Sequence, residues 1–151
     1  MEISQKELQS YFAFRPPYVY VDSIEEVAPL NYAIGVRYFP KEEWFFACHF
    51  SDDPMVPGNL IAESMGQVLG LAVQSNEEHR GKKFYLVATD KLRLLNRVRP
   101  GDTLRTKAVI TSYRRGLLSG HCESYVNDVK IAVADITLLE DGVTSLKPKV
   151  E

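Results

Sequence analysis

The chain has 151 residues, 45% hydrophobic and 25% charged, with a formal net charge of −2. That length suits one domain around one core, and the near-neutral balance gives no case for nucleic acid or a membrane surface as partner. The N-terminal "MEISQKELQSYF" holds no long apolar run, so neither a signal peptide nor a membrane span is expected; two cysteines, Cys48 and Cys122, without metal-ligand spacing, fit a reducing cytoplasm.

Ser4 to Glu7 has capping-box spacing and predicts a short helix over about residues 4–11. Pro16 and Pro17 must end it. "YVYVDSIEEVAP" is rich in Val and Tyr and reads as a strand; "NYAIGVRYF" follows a turn at Pro29-Leu30 and reads as its hairpin partner. Apolar residues then recur at helical spacing through Leu60, Ile61, Met65, Val68, Leu69, Ala72 and Val73. Pro57 suits the start, so a long helix is expected over about residues 58–78. It is apolar around much of its circumference and should be buried. Strands follow in "KFYLVATDKLRLLN", "TLRTKAVITSYR", "LLSGHCESYVN" and "VKIAVADITLLE", separated by turns at Arg99–Asp102, Arg115-Gly116 and Asn127-Asp128. Residues from about 141 to 151 read as a loose tail. The sum is a single α+β domain over residues 1–151, one long helix against an antiparallel sheet.

Within "WFFACHFSDDPMVPGNLIAE", His49 sits among aromatics. It is either a core residue with a satisfied ring nitrogen or a base whose apolar neighbours keep the imidazole neutral. Glu63 lies on the apolar helix, where a buried carboxylate is costly without a partner. Asn59, Glu63 and Gln67 share an i, i+4, i+8 stripe. On a surface helix that stripe is a solvated face; beside Gly66 and Gly70 it can line a cavity. Gly58 places a helix N-terminus nearby, whose unpaired amides can hold a developing oxyanion. A base, a carboxyl group and a backbone donor suit proton abstraction beside a carbonyl.

The stretch from Phe45 to Gln67 resembles the signature of the β-hydroxyacyl-acyl carrier protein dehydratases of fatty-acid synthesis: Phe-Phe-x-Gly-His-Phe-Pro-x-x-Pro-x-Met-Pro-Gly-x-x-x-x-Glu-x-x-x-Gln. "FRPPYVYVD" and "ATDKLRLLNRVRPGD" resemble two further segments of that family, in order. The resemblance implies a hot-dog fold, a curled antiparallel sheet around one central helix. It implies a homodimer or a trimer of such dimers, with the histidine of one protomer facing the acidic residue of the other. The implied reaction takes water from a (3R)-3-hydroxyacyl thioester to give a trans-2-enoyl thioester. His49 would remove the α-proton, and Glu63 would protonate the departing hydroxyl directly or through water. The Gly58 amide would hold the thioester carbonyl. Gln67 would orient Glu63, unless it is a helix-surface glutamine. No metal or redox cofactor is implied; the acyl chain arrives on the phosphopantetheine arm of an acyl carrier protein.

Departures from the pattern fall at Phe14 (for histidine), Cys48 (for glycine), Ser51 (for proline) and Asn59 (for an apolar residue). Cys48 and Asn59 flank the two groups that matter most. A nucleophilic role for Cys48 is disfavoured, because a free cysteine that is buried is inert. The departures leave the chemistry in place and open the substrate: a shorter, more polar or polyketide-like chain fits as well as a housekeeping fatty acyl chain. The basic run from Lys91 to Arg115 either lies on solvated strand faces or steers an acidic carrier protein, with Arg97 and Arg99 as the preferred contacts. His79 and His121 read as surface or packing residues. Two other classes stay open: a hot-dog acyl thioesterase, which does not carry the Cys-His-Phe segment, and a non-catalytic carrier-binding scaffold or partner subunit.

Overall fold

The computed structural model describes residues 1–142. In chain order these form α1 (Gln5–Leu8), β1 (Ser23–Ala28), β2 (Tyr32–Tyr38), a 3₁₀ turn (Trp44–Ala47), α2 (Gly58–Gln74), a second 3₁₀ turn (Glu77–His79), β3 (Phe84–Leu94), β4 (Thr103–Arg114), β5 (Leu117–Val126) and β6 (Val129–Glu140). One six-stranded sheet runs β1-β2-β4-β5-β6-β3, with every pairing antiparallel. α2 touches every strand of it. This is the curled sheet around a single long helix that defines the hot-dog arrangement.

The sheet is pinned by local chemistry. Arg115-Gly116 and Asn127-Asp128 have positive φ at both residues, the geometry of the two-residue turns that match strand twist. Along β5 the buried residues are Leu118, Gly120, Cys122, Ser124 and Val126, an unbroken alternation. Helix and sheet meet closely only because two strand positions lack a side chain. A Cβ on Gly120 would lie 2.3 Å from Leu69 Cδ1 and 3.0 Å from the Val109 carbonyl oxygen; one on Gly35 would lie 2.7 Å from Val68 Cγ2. Valine at position 120 gains strand propensity, worth at most about 1 kcal/mol. Overpacking costs about 1–3 kcal/mol and wins. Gly120→Val should therefore lower the melting temperature by several degrees; an unchanged melt would contradict this packing.

Three element boundaries differ from the sequence reading. The first helix covers only Gln5–Leu8. Glu7 does reach back to the Ser4 N–H at 3.0 Å, but Ser10 and Tyr11 donate to carbonyls three residues back, Glu7 and Leu8, so the chain tightens into turns instead of continuing as α-helix. The central helix ends at Gln74, not near 78. Asn76 is extended (φ −79°, ψ 133°) and its side chain accepts from the Glu78 N–H, a local alternative to helix. The strand expected from Tyr18 begins at Ser23. The backbone of Tyr18 and Tyr20 is satisfied by α2 side chains instead: Gln67 accepts from the Tyr20 N–H and donates to the Tyr18 carbonyl, and Ser64 donates to the Tyr20 carbonyl. Of the expected tail, Asp141 and Gly142 lie in a turn; residues 143–151 fall outside the described residues.

β3 is a sheet edge of unusual character. Only Phe84 along it is buried. Leu86 is 45% exposed and Leu94 52%. Long apolar edges with open backbone groups are templates for pairing.

Candidate active site

His49 is held by the loop that precedes α2. Phe45 and Phe46 of the 3₁₀ turn are buried in the core, and the Phe45 carbonyl accepts from the His49 N–H at 2.8 Å. His49 Nδ1 lies 3.2 Å from the Met55 carbonyl oxygen. A carbonyl can only accept, so Nδ1 carries a hydrogen, and in the neutral ring the lone pair is the one on Nε2. Phe50 stacks on the ring with centroids 4.5 Å apart. Of the aromatic neighbours expected to keep the imidazole dry, Phe50 stands half exposed while Phe45 and Phe46 turn inward. His49, Gly58, Leu94, Arg97 and Arg99 line one cleft. Gly58 opens α2, so its N–H has no intrahelical acceptor. A Cβ there would lie 2.4 Å from Leu94 Cδ1.

Cys48 and Asn59 are exposed, and neither lines that cleft. The inertness expected of a buried cysteine belongs to Cys122 instead, whose thiol burial pushes up to about 12. Cys48 Sγ faces the Phe45 carbonyl at 3.6 Å.

Glu63 lines a separate cavity of about 210 Å³, with Phe14, Tyr18, Gln67 and Leu86 among its walls. Gln67 Nε2 donates to the Glu63 carboxylate at 3.2 Å, and Tyr18 lines the same cavity. Burial raises the Glu63 carboxyl above its ordinary range; the Gln67 hydrogen bond and the nearby Tyr18 hydroxyl pull the other way and lose. Gln67 is 2% exposed, so it is not a helix-surface glutamine. Its amide is clamped between Tyr18, Tyr20 and Glu63. Tyr18 was missed by sequence reasoning, because its place in a Val/Tyr run signalled only a strand.

One chain does not bring His49 and Glu63 together. Their cavities share no lining residue. Both open along β3, however: Phe84, Tyr85 and Leu86 line the Glu63 cavity, and Leu94 and Leu95 the His49 cleft. Arg97 and Arg99 stand at the rim of that cleft and both grip Asp53, at 2.7 and 2.8 Å. Arg99, then Arg97, hold the Asp53 carboxyl below its ordinary range. His121 bridges Asp135 and Glu123 on an outer strand face, and His79 packs on Tyr113. Among the described residues no group of three or more His, Cys, Asp or Glu could hold a metal ion.

Comparison with known proteins places the chain in a family. The family model described as the FabA-like domain matches residues 19–135. The 3-hydroxyacyl-acyl-carrier-protein dehydratase FabZ of Clostridioides difficile is 33% identical over 130 residues, covering 86% of this chain and 92% of the relative. FabZ of Thermoanaerobacter pseudethanolicus is 34% identical over 142 residues, covering 93% and 100%. Among solved structures, the dehydratase heterocomplex ApeI:P from Xenorhabdus doucetiae superposes with a TM-score of 0.76 at 13% identity, over 88% of this chain and 90% of that one, which speaks for the fold. The chain belongs to the FabA-like family of 3-hydroxyacyl-acyl-carrier-protein dehydratases.

Proposed function

We propose that the protein removes water from a (3R)-3-hydroxyacyl chain carried on an acyl carrier protein, in fatty-acid or polyketide-type synthesis, at sites shared between two copies of the chain. The observation that carries this reading is the split site: His49 and Glu63 open at opposite ends of an edge strand whose outer side has no neighbouring strand and whose two ends are apolar. Antiparallel pairing of β3 with a second copy reverses the strand. It lays the Phe84–Leu86 end of one copy alongside the Leu94 end of the other, and so sets the Glu63 cavity of one against the His49 cleft of the other. The apolar edge is buried by the same pairing.

In that shared site His49 Nε2 takes the proton from the carbon next to the thioester carbonyl. The Gly58 N–H holds the negative charge that gathers on the carbonyl oxygen. The C–H electron pair becomes the new double bond as the C3–O bond breaks, and the hydroxyl leaves as water with the proton of Glu63. Burial keeps that proton on the carboxyl at a pH where a solvated glutamate would have lost it. Gln67 aims the carboxyl and is a positioning residue; Tyr18 walls the cavity beside it. These steps use no metal or redox cofactor. Arg97 and Arg99 against the single charge of Asp53 leave one net positive charge at the cleft mouth, suited to an acidic carrier protein. The two thiols, both unpaired, suit a reducing cytoplasm.

Incubation with 3-hydroxybutyryl and 3-hydroxyoctanoyl carrier-protein thioesters, followed by mass spectrometry, tests the reading. Loss of water is expected. Release of the free acid would point to a thioesterase, and no turnover at any chain length would overturn the catalytic reading.

A further inference from the structure

Two glycines of α2 are not required by the fold. Of the nine glycines in the chain, Gly81, Gly101, Gly116 and Gly142 have positive φ, and Gly35, Gly58 and Gly120 stand where a Cβ would meet a neighbouring side chain at 2.7 Å or less. Gly66 and Gly70 meet neither condition. Both lie inside α2, where glycine is destabilising relative to alanine. A Cβ on Gly66 would stand 3.7 Å from Leu138 Cδ2, and one on Gly70 would stand 3.8 Å from Leu138 Cδ1 and 3.5 Å from Gln74 Oε1, all ordinary contacts. The fold would accept alanine at both positions and gain by it. What a side chain there would take up is the cavity beside Glu63. Gly66, Gly70 and Leu138 all line it, and its walls follow α2 from Glu63 as far as Gln74.

The two glycines lie at different depths. At about 1.5 Å of rise per residue, Gly66 is about 4.5 Å and Gly70 about 10 Å along α2 from Glu63. An extended chain advances about 1.2 Å per bond, a third of the extended rise of one residue. With its third carbon at Glu63, an acyl chain comes level with Gly66 at about its seventh carbon and with Gly70 at about its eleventh. We infer that Gly66 and Gly70 are specificity-determining residues of the acyl cavity, each keeping room for one stretch of a long saturated chain between α2 and Leu138. Gly66 admits chains longer than butyryl, and Gly70 admits chains longer than octanoyl. The apolar walls Phe84, Leu86 and Leu138 suit methylenes. The inference rests on the proposed dehydratase site for the end at which the chain enters. The length preference can nevertheless be read by binding alone.

The test measures binding of butyryl-, octanoyl- and dodecanoyl-pantetheine by calorimetry. None carries a 3-hydroxyl, so none can be dehydrated. Wild type should gain about tenfold or more in affinity at each step in length, as methylenes leave water. Gly70→Val should keep the gain from butyryl to octanoyl and lose the gain from octanoyl to dodecanoyl. Gly66→Val should lose both. Gly66→Ala and Gly70→Ala should melt above wild type, and they replace the valine variants if those do not fold, with the same losses in smaller measure. Equal affinities across the three lengths in wild type, no binding of any, variants that weaken all lengths alike, one and the same length limit at both positions, or alanine variants that melt below wild type would overturn the inference. The 3-hydroxy forms of the same chains are then assayed for turnover. Length steps in binding without dehydration would sink the catalytic reading and leave the role of the two glycines standing.

Discussion

His49→Ala should lower kcat for dehydration about 10²–10⁴-fold, the usual worth of a positioned base, with KM little changed. The ring is fixed by a single hydrogen bond to the Met55 carbonyl and by the Phe50 stack. Its loss leaves Phe45 and Phe46 in the core, so the melting temperature should move little. The hydrogen bond sets the tautomer, which leaves Nε2 as the only basic nitrogen. Full activity in the alanine variant would remove His49 from the mechanism even if the protein proved a dehydratase.

Glu63→Gln should cost a similar factor and leave a different trace in pH. In wild type, activity falls as pH rises through the Glu63 pKa in the folded state, which burial has raised. The variant has no proton to lose, so its residual activity should lack that alkaline limb. The linkage has a definite sign. A carboxyl whose folded pKa lies above its unfolded value stabilises the fold at low pH, fully so below the unfolded value, and that contribution is lost as pH rises through the folded value. Glu63→Gln removes the loss. At alkaline pH the variant should melt at or above the wild-type temperature while its activity stays at the residual level. A variant that both unfolds and dies would show that Glu63 is needed for the fold instead.

The strands from β4 to β6 could be read from sequence because period-two burial and two-residue turns are local signals. The start of α2 could be read because Pro57 and Gly58 mark it. Tyr18 to Asp22 could not: whether an extended run joins a ladder depends on partners, and here Ser64 and Gln67 take the backbone groups a neighbouring strand would have used. His49, Gly58 and Glu63 stood out as candidates because base, donor and carboxyl types clustered, and the family resemblance gave them roles. Gln67 stayed ambiguous, since one helix stripe can face water or a cavity. Tyr18 was invisible for a related reason: it reaches the Glu63 cavity from a distant part of the chain. The exposure of β3 likewise follows from its place at the sheet edge, which composition does not encode.

The shared site is the central claim, and subunit mixing tests it most directly. His49→Ala and Glu63→Gln proteins are each nearly inactive alone. Unfolded together and refolded as a mixture, they should form mixed dimers in which one of the two sites joins an intact His49 to an intact Glu63. Random assortment then restores about a quarter of wild-type activity. If each chain completes its own site, every site in the mixture carries one lesion, and activity that stays at the level of the separate variants would contradict the account.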